Sequence, residues 1–368
     1  MNIESTQLVG PNAPNWEQRL VSRLSKTNRA DSLNGQSRRS IPESRKRPLT
    51  DRDGITLRNE VRDLDHLNIN ENRPISWNGA INRYRDYIRD KRNVETVFEN
   101  SETGELATGS TPHRFDPDYS SKQYAKLKDL ERGVQDLYGK RLHTAMLTLT
   151  ASSTPNGDPL PCVDHLDELL SSWSSVSRTL RRVLDGRRSA RLAILEPHPS
   201  DGANNGYLHI HIAVFVDGKI NPEMFQPVIE SHVNNCDLAG WTAHDLEKDS
   251  TISVRHAGAD RNDSDDQLDE LAVYLAEYLG TYGDDPLGLP EHVQAANALL
   301  WSTGRQRWRP SNGAQQHMAT DPRDPDSDWQ LVGIEKDGEV IPVDPENGGV
   351  DRFVTGSPNP PDPPPTDH

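Results

Sequence analysis

Alternation of apolar and polar positions is sharpest between residues 207 and 216, Tyr-Leu-His-Ile-His-Ile-Ala-Val-Phe-Val. Successive side chains of an extended chain point to opposite faces, so Leu208, Ile210, Ile212, Val214 and Val216 share one face, which predicts a strand with that face on a core. A second strand is predicted at Arg191–Glu196, joined to the first by residues 197–206, which are crowded with Pro, Ser, Asp, Gly and Asn and read as a hairpin loop. A third, Ala145–Thr150, alternates Leu and Thr.

Helical spacing marks other stretches. It runs over 78–95 (Trp77, Ile81, Tyr84, Ile88) and over 120–139 (Tyr124, Leu127, Leu130, Val134, Leu137). A longer stripe from Leu166 to Leu184 predicts one helix capped by Asp164 and ended by Gly186. Further helices fit 221–234 and 267–282, and a short strand fits 251–256. The order β-α-β-β-α-β-α predicts an α+β fold, an antiparallel sheet flanked by helices, with disordered termini. The expected organisation is a mostly disordered arm over 1–75, a helical lead-in over 76–140, the main folded domain over 141–315 and an acidic, Pro-rich tail over 316–368.

Composition sets limits on this picture. Only 33% of the 368 residues are hydrophobic, and mean hydropathy is -0.81, so one well-packed domain with polar extensions is expected. No run of 18 apolar residues and no signal-peptide pattern is present, which predicts a soluble, cytoplasmic protein without a membrane partner. Cys162 and Cys236 form no Cys-x-x-Cys, so buried thiols in a reducing compartment are expected. Formal net charge is -16, with 10 Lys and 31 Arg against 57 acidic residues. An acidic surface poor in lysine suits a protein kept soluble at high salt, and a halophilic source is expected. The basic stretch Arg38–Arg47 reads as a solvated arm or a DNA-tracking tail.

The chemistry sits on the face of the 207–216 strand that the core does not claim. His209 and His211 lie there about 7 Å apart at Cα, near enough for their rings to meet at one ion. Glu196 ends the partner strand and adds a carboxylate, with His198 two residues on as the alternative third ligand. Tyr274 and Tyr278 stand one helical turn apart, with Tyr282 one turn further, either as packing residues or as reactive phenols. Arg305, Arg307, Trp308 and Arg309 mix cations with an indole, suited to gripping phosphates and stacking on unpaired bases, or to closing the core around Trp301. His232, Cys236 and His244 match no common zinc spacing and read as structural. No Gly-x4-Gly-Lys-Ser/Thr phosphate loop is present, which argues against a helicase motor.

Taken in order, Leu147-Thr148-Leu149-Thr150, then Leu208-His209-Ile210-His211, then Tyr274-x3-Tyr278 resemble the three motifs of the HUH endonuclease superfamily. Within it the likeness is to rolling-circle replication initiators with two active tyrosines. The wording around these motifs is similar to replication proteins of haloarchaeal plasmids and pleomorphic viruses, over about residues 120–315. That resemblance implies Mg2+ or Mn2+ held by His209, His211 and Glu196. It implies Tyr278 as first nucleophile and Tyr274 as the second, with single-stranded or hairpin origin DNA as substrate and host polymerase and helicase as partners. Many such proteins carry Lys one turn after the nucleophile, where this chain has Thr281; that departure leaves open a non-nicking origin-binding or copy-control protein. A relaxase or transposase of the same superfamily is the other alternative.

Overall fold

A computed structural model describes residues 41–62, 74–111, 113–198, 202–248, 250–257, 285–318, 328–336 and 338–342. The chain divides into two units at Pro42/Glu43, and the fold set out below belongs to the second. Its principal elements are α1 (Trp77–Arg92), β1 (Val94–Asn100), β2 (Leu106–Ser110), α2 (Pro117–Tyr138), β3 (Leu142–Leu149), α3 (Cys162–Ser171), α4 (Trp173–Val183), β4 (Ser189–Pro197), β5 (Leu208–Asp217), α5 (Gln226–Val233), β6 (Ile252–Arg255), α6 (Glu291–Thr303), β7 (Trp308–Pro310), β8 (Trp329–Lys336) and β9 (Glu339–Pro342). The fold is α+β with two antiparallel sheets, one ordered β6-β3-β5-β4-β7 and the other β2-β1-β8-β9.

In the five-stranded sheet β5 is central, and both of its faces are covered. Leu208, Ile210, Ile212, Val214 and Val216 join the larger core with Leu147 and Leu149 of β3 and the apolar sides of α1, α3, α4, α5 and α6. Removing each such side chain from water contributes about 1.5–3 kcal/mol. Ala213 and Phe215 face the other way, with Leu192 and Ile194, under Leu127, Leu130 and Val134 of α2. The face carrying the histidines is therefore also packed, at its Phe215 end.

Several expectations are corrected. The stripe from Leu166 to Leu184 is two helices broken at Ser172, and the first starts after Pro161, with Asp164 in its first turn bound to Arg52. The helical lead-in holds a β-hairpin, β1–β2, between its two helices. The acidic segment expected as a tail supplies β8 and β9, which complete the sheet begun by β1. Residues 43–62, placed in the disordered arm, bury Leu49, Ile55, Leu57 and Val61 in the larger core. Arg45, from the basic stretch read as solvated, is 1% exposed. Its guanidinium lies 4.0 Å over the Trp77 ring and donates to the side-chain oxygen of Asn205 at 2.8 Å. It thus fastens the loop that feeds β5. Gly206 in that loop has φ +79°, a backbone conformation strained for any other residue, and a Cβ there would crowd Ala295 Cβ and the His292 carbonyl, each at 3.1 Å.

Candidate active site

Antiparallel pairing sets Glu196 of β4 directly opposite His209 of β5, and Ile194 and Thr148 on either side of His211. Period-2 alternation then puts Glu196, His209 and His211 on one face at the end of the sheet away from Phe215. All three are buried. Nε2 of His209 lies 2.8 Å from Nε2 of His211, and Oε2 of Glu196 lies 3.3 Å from the first and 2.6 Å from the second. Among the described residues this is the one group of three His, Cys, Asp or Glu side chains whose ligand atoms converge.

That convergence fits a cation. Bonds of about 2.0–2.1 Å to an octahedral ion put neighbouring ligand atoms about 3 Å apart. Nδ1 of His211 lies 3.1 Å from Thr148 Oγ1, which holds the ring with Nε2 turned toward His209 and Glu196; where that hydroxyl accepts from Nδ1, Nε2 carries the lone pair a metal ion needs. Lone pairs from two rings and a carboxylate at these separations repel one another unless a proton or a metal ion lies among them. Burial works to raise the Glu196 carboxyl, but its bonds with His209 and His211 overcome this and hold it below its ordinary value. Burial lowers His209, against the pull of Glu196. Two imidazoles and one carboxylate suit a divalent ion and leave positions for water and a phosphate oxygen.

His198 is outside this trio. Its ring packs 4.3 Å from that of His209, its Nε2 faces Thr150 Oγ1 at 3.4 Å, and burial together with His209 pulls it down to about 3. Thr148 and Thr150 belong to the first of the three sequence motifs, but the sequence reading gave neither a role beside the histidines. The signal was present in the Leu/Thr alternation of β3, which puts Thr148 on the histidine face.

The residues expected to grip DNA divide by face. Trp308 of β7 pairs with Ile194 and so lies on the histidine side, where its indole bonds to Tyr119. Arg309 pairs with Ala193, on the opposite face. Arg305 donates to the carbonyl of Gly54 and Arg307 to Asn297, so both act within the fold. Trp301 is fully buried. Tyr274, Tyr278, Glu277, Thr281 and Tyr282 lie outside the described residues.

The second histidine group has a different character. His232 Nδ1 meets Ser172 Oγ at 2.7 Å, and its Nε2 meets the Thr150 carbonyl at 3.0 Å. His244 Nε2 accepts the Thr150 N–H at 3.0 Å, and its Nδ1 meets the Gly240 carbonyl at 2.9 Å. Every ring nitrogen has a protein partner. Cys162 and Cys236 are free, buried thiols. No described helix is long and apolar enough to cross a membrane.

Proteins similar to this chain come from Halobacterium and from a Halorubrum virus. A protein from Halobacterium sp. (strain GN101), an uncharacterized 36 kDa protein, is 43% identical over 74% of this chain and 87% of its own. One from Halobacterium salinarum, also an uncharacterized 36 kDa protein, is 41% identical over 83% of this chain and 97% of its own. Uncharacterized protein 1 of Halorubrum pleomorphic virus 1 is 28% identical over 62% of this chain and 46% of its own. These sources accord with the acidic, lysine-poor composition. No solved structure matches the chain. The family model described as "Putative rep protein (DUF1424)" matches residues 47–363, and the chain belongs to that family.

Proposed function

We propose that this protein nicks and rejoins single-stranded or hairpin origin DNA through a 5′-phosphotyrosine intermediate and so initiates rolling-circle replication. One observation carries the reading: the meeting of Glu196 Oε2, His209 Nε2 and His211 Nε2 within 3.3 Å of one another on a sheet face. Membership of a rep family and the Tyr274-x3-Tyr278 spacing support it.

Mg2+ or Mn2+ bound to the trio supplies charge neutralisation at the scissile phosphate. Thr148 fixes the His211 ring with Nε2 inward. Trp308, on the same face, offers an indole to an unpaired base. The Tyr278 oxygen bonds to phosphorus as the bond from phosphorus to the 3′ oxygen breaks. The phenol proton passes to Glu277 or water, and the departing 3′ oxygen takes one up. The resulting 3′-OH serves a host polymerase, and a host helicase separates the strands. Tyr274 repeats the transfer to close the circle.

The test uses the full chain with origin hairpin DNA, Mn2+ and high KCl, read as a covalent adduct on a denaturing gel. The adduct forms in the wild type, and both Tyr278→Phe and EDTA abolish it. An adduct that survives EDTA removes the ion from the reaction; no adduct in the wild type favours the origin-binding alternative suggested by Thr281.

A further inference from the structure

The histidines occupy one end of the five-stranded sheet, and the opposite end has a chemistry of its own. There β3 and β4 begin and β5 and β6 finish, since Leu142 pairs with Asp217 and Thr144 with Arg255. Residues 139–143, 178–191, 217–219 and 255–256 meet there and hold ten Lys and Arg against two Asp, in a chain that carries 57 acidic residues to 41 basic ones. We infer that this end of the sheet binds the phosphate backbone of duplex DNA flanking the nick site. The inference rests on the nicking reading for the identity of that DNA and gives it a second contact.

The cluster is built by the fold. On α4, Val176 and Leu180 enter the core while Arg178, Arg181 and Arg182 are exposed. Positions three and four apart share a helical face, so these three project together. Gly186, at φ +72°, then turns the chain, and the exposed Arg187 and Arg188 follow before β4. Lys140 and Arg141 before β3, Lys219 after β5 and Arg255 at the end of β6 are exposed as well. A favourable charge at a helix C-terminus accounts for Arg181 and Arg182. It does not account for the cations from the three other segments at the same edge.

Two acidic side chains within these segments are outnumbered by ten cations, and one of the two is committed inside the fold. At the basic end the buried Asp217 serves both Arg141 and Arg188. Arg191 stands close enough to Arg181 for their charges to oppose.

Phosphate on a duplex is the ligand this composition fits. Eight of the ten cations are arginine, whose planar fork binds phosphate through two hydrogen bonds. Directional bonds persist when molar salt shrinks the screening length to about 3 Å. The four segments contain no Phe, Tyr or Trp, and the exposed His256 ring is stacked on His143 at 4.0 Å. Recognition of single strands leans on free aromatic faces, so this end suits paired DNA, whose bases are already stacked. Seven residue steps along β3 separate the two ends by about 23 Å, close to seven steps along a duplex strand at about 3.4 Å each.

The experiment measures fluorescence anisotropy of a labelled hairpin with a duplex arm, and of a labelled single strand, across a KCl series with EDTA present. The variant combines Arg178→Ala, Arg182→Ala and Arg187→Ala, and its thermal midpoint in high KCl confirms folding. Expected is about tenfold weaker hairpin binding, with the slope of log affinity against log KCl shallower by about 2 to 3. Single-strand binding stays unchanged. The matching Arg→Lys variant keeps the wild-type slope. Unchanged hairpin affinity and slope in the alanine variant overturn the inference, as does polyglutamate competing as well as unlabelled duplex. Because EDTA blocks nicking, a wild type that forms no adduct leaves this binding measurable, and the two readings fail separately.

Discussion

Two pairs of buried histidines lie within one fold, alike in most respects and opposite in one. Ring centroids are 4.6 Å apart for His209 and His211 and 5.0 Å apart for His232 and His244, and both pairs meet near edge to face. In the second pair each nitrogen is matched to a serine hydroxyl, a carbonyl or an amide, and both rings hold the Thr150 backbone just beyond β3. In the first pair the two Nε2 atoms face each other and a carboxylate oxygen. Burial and ring distance therefore do not distinguish a structural histidine from a ligand. What differs is the set of atoms that the nitrogens face, and a cation among His209, His211 and Glu196, as proposed above, would satisfy all three at once.

The comparison can be sharpened from the structural side first. His232→Ala leaves a cavity and strips partners from Ser172 and Thr150, and is expected to lower unfolding free energy by about 2–4 kcal/mol. Chemical denaturation in high KCl measures this, and Mn2+ stoichiometry stays as in the wild type below the new midpoint. A variant that kept its stability but lost Mn2+ would blur the two classes. Next in size, Thr148→Val removes the partner of His211 Nδ1 and is expected to weaken Mn2+ binding about 10- to 100-fold with little change in stability. Equal affinity would show that the His211 ring is held by packing alone.

Acid separates the structural rings by titration. Burial pulls His232 down to about 4, and with it His165, a fully buried ring of α3 whose Nε2 meets the Ala151 carbonyl at 3.1 Å, against about 6.5 in an unfolded chain. Between those values the unfolded chain takes up protons that the folded one refuses, so stability is complete above pH 6.5 and falls as pH drops toward 4. Each ring contributes up to about 1.4 kcal/mol per pH unit in that window. Denaturation midpoints at fixed KCl should be flat above pH 6.5 and decline below it; a flat profile down to pH 5 would mean that these rings are more hydrated than their burial indicates.

β5 and the face of its two histidines were legible because local alternation sorts Leu208 and Ile210 from His209 and His211 without help from distant residues. Glu196 was placed correctly beside them for a related reason: a hairpin fixes the register of its own two strands. Elements completed from afar were not legible. Val94–Asn100 was absorbed into a helical lead-in because its central partner, Trp329–Lys336, follows more than two hundred residues later. Leu49, Ile55, Leu57 and Val61 follow no period, so nothing local showed that each fills a place in the core. The charge of Arg45 suggested solvent or DNA, whereas the face of Trp77 and the oxygens of Asn205 give it a buried site. The break at Ser172 escaped notice because an apolar stripe can pass through a helix junction in phase.

Mn2+ titration of the wild type and of the His209→Ala/His211→Ala variant, followed by electron paramagnetic resonance of the free ion, tests the central assignment most directly. One tightly bound Mn2+ per wild-type chain and none in the folded variant is the expected result. Equal binding by both proteins would contradict it and reduce Glu196, His209 and His211 to a buried polar cluster.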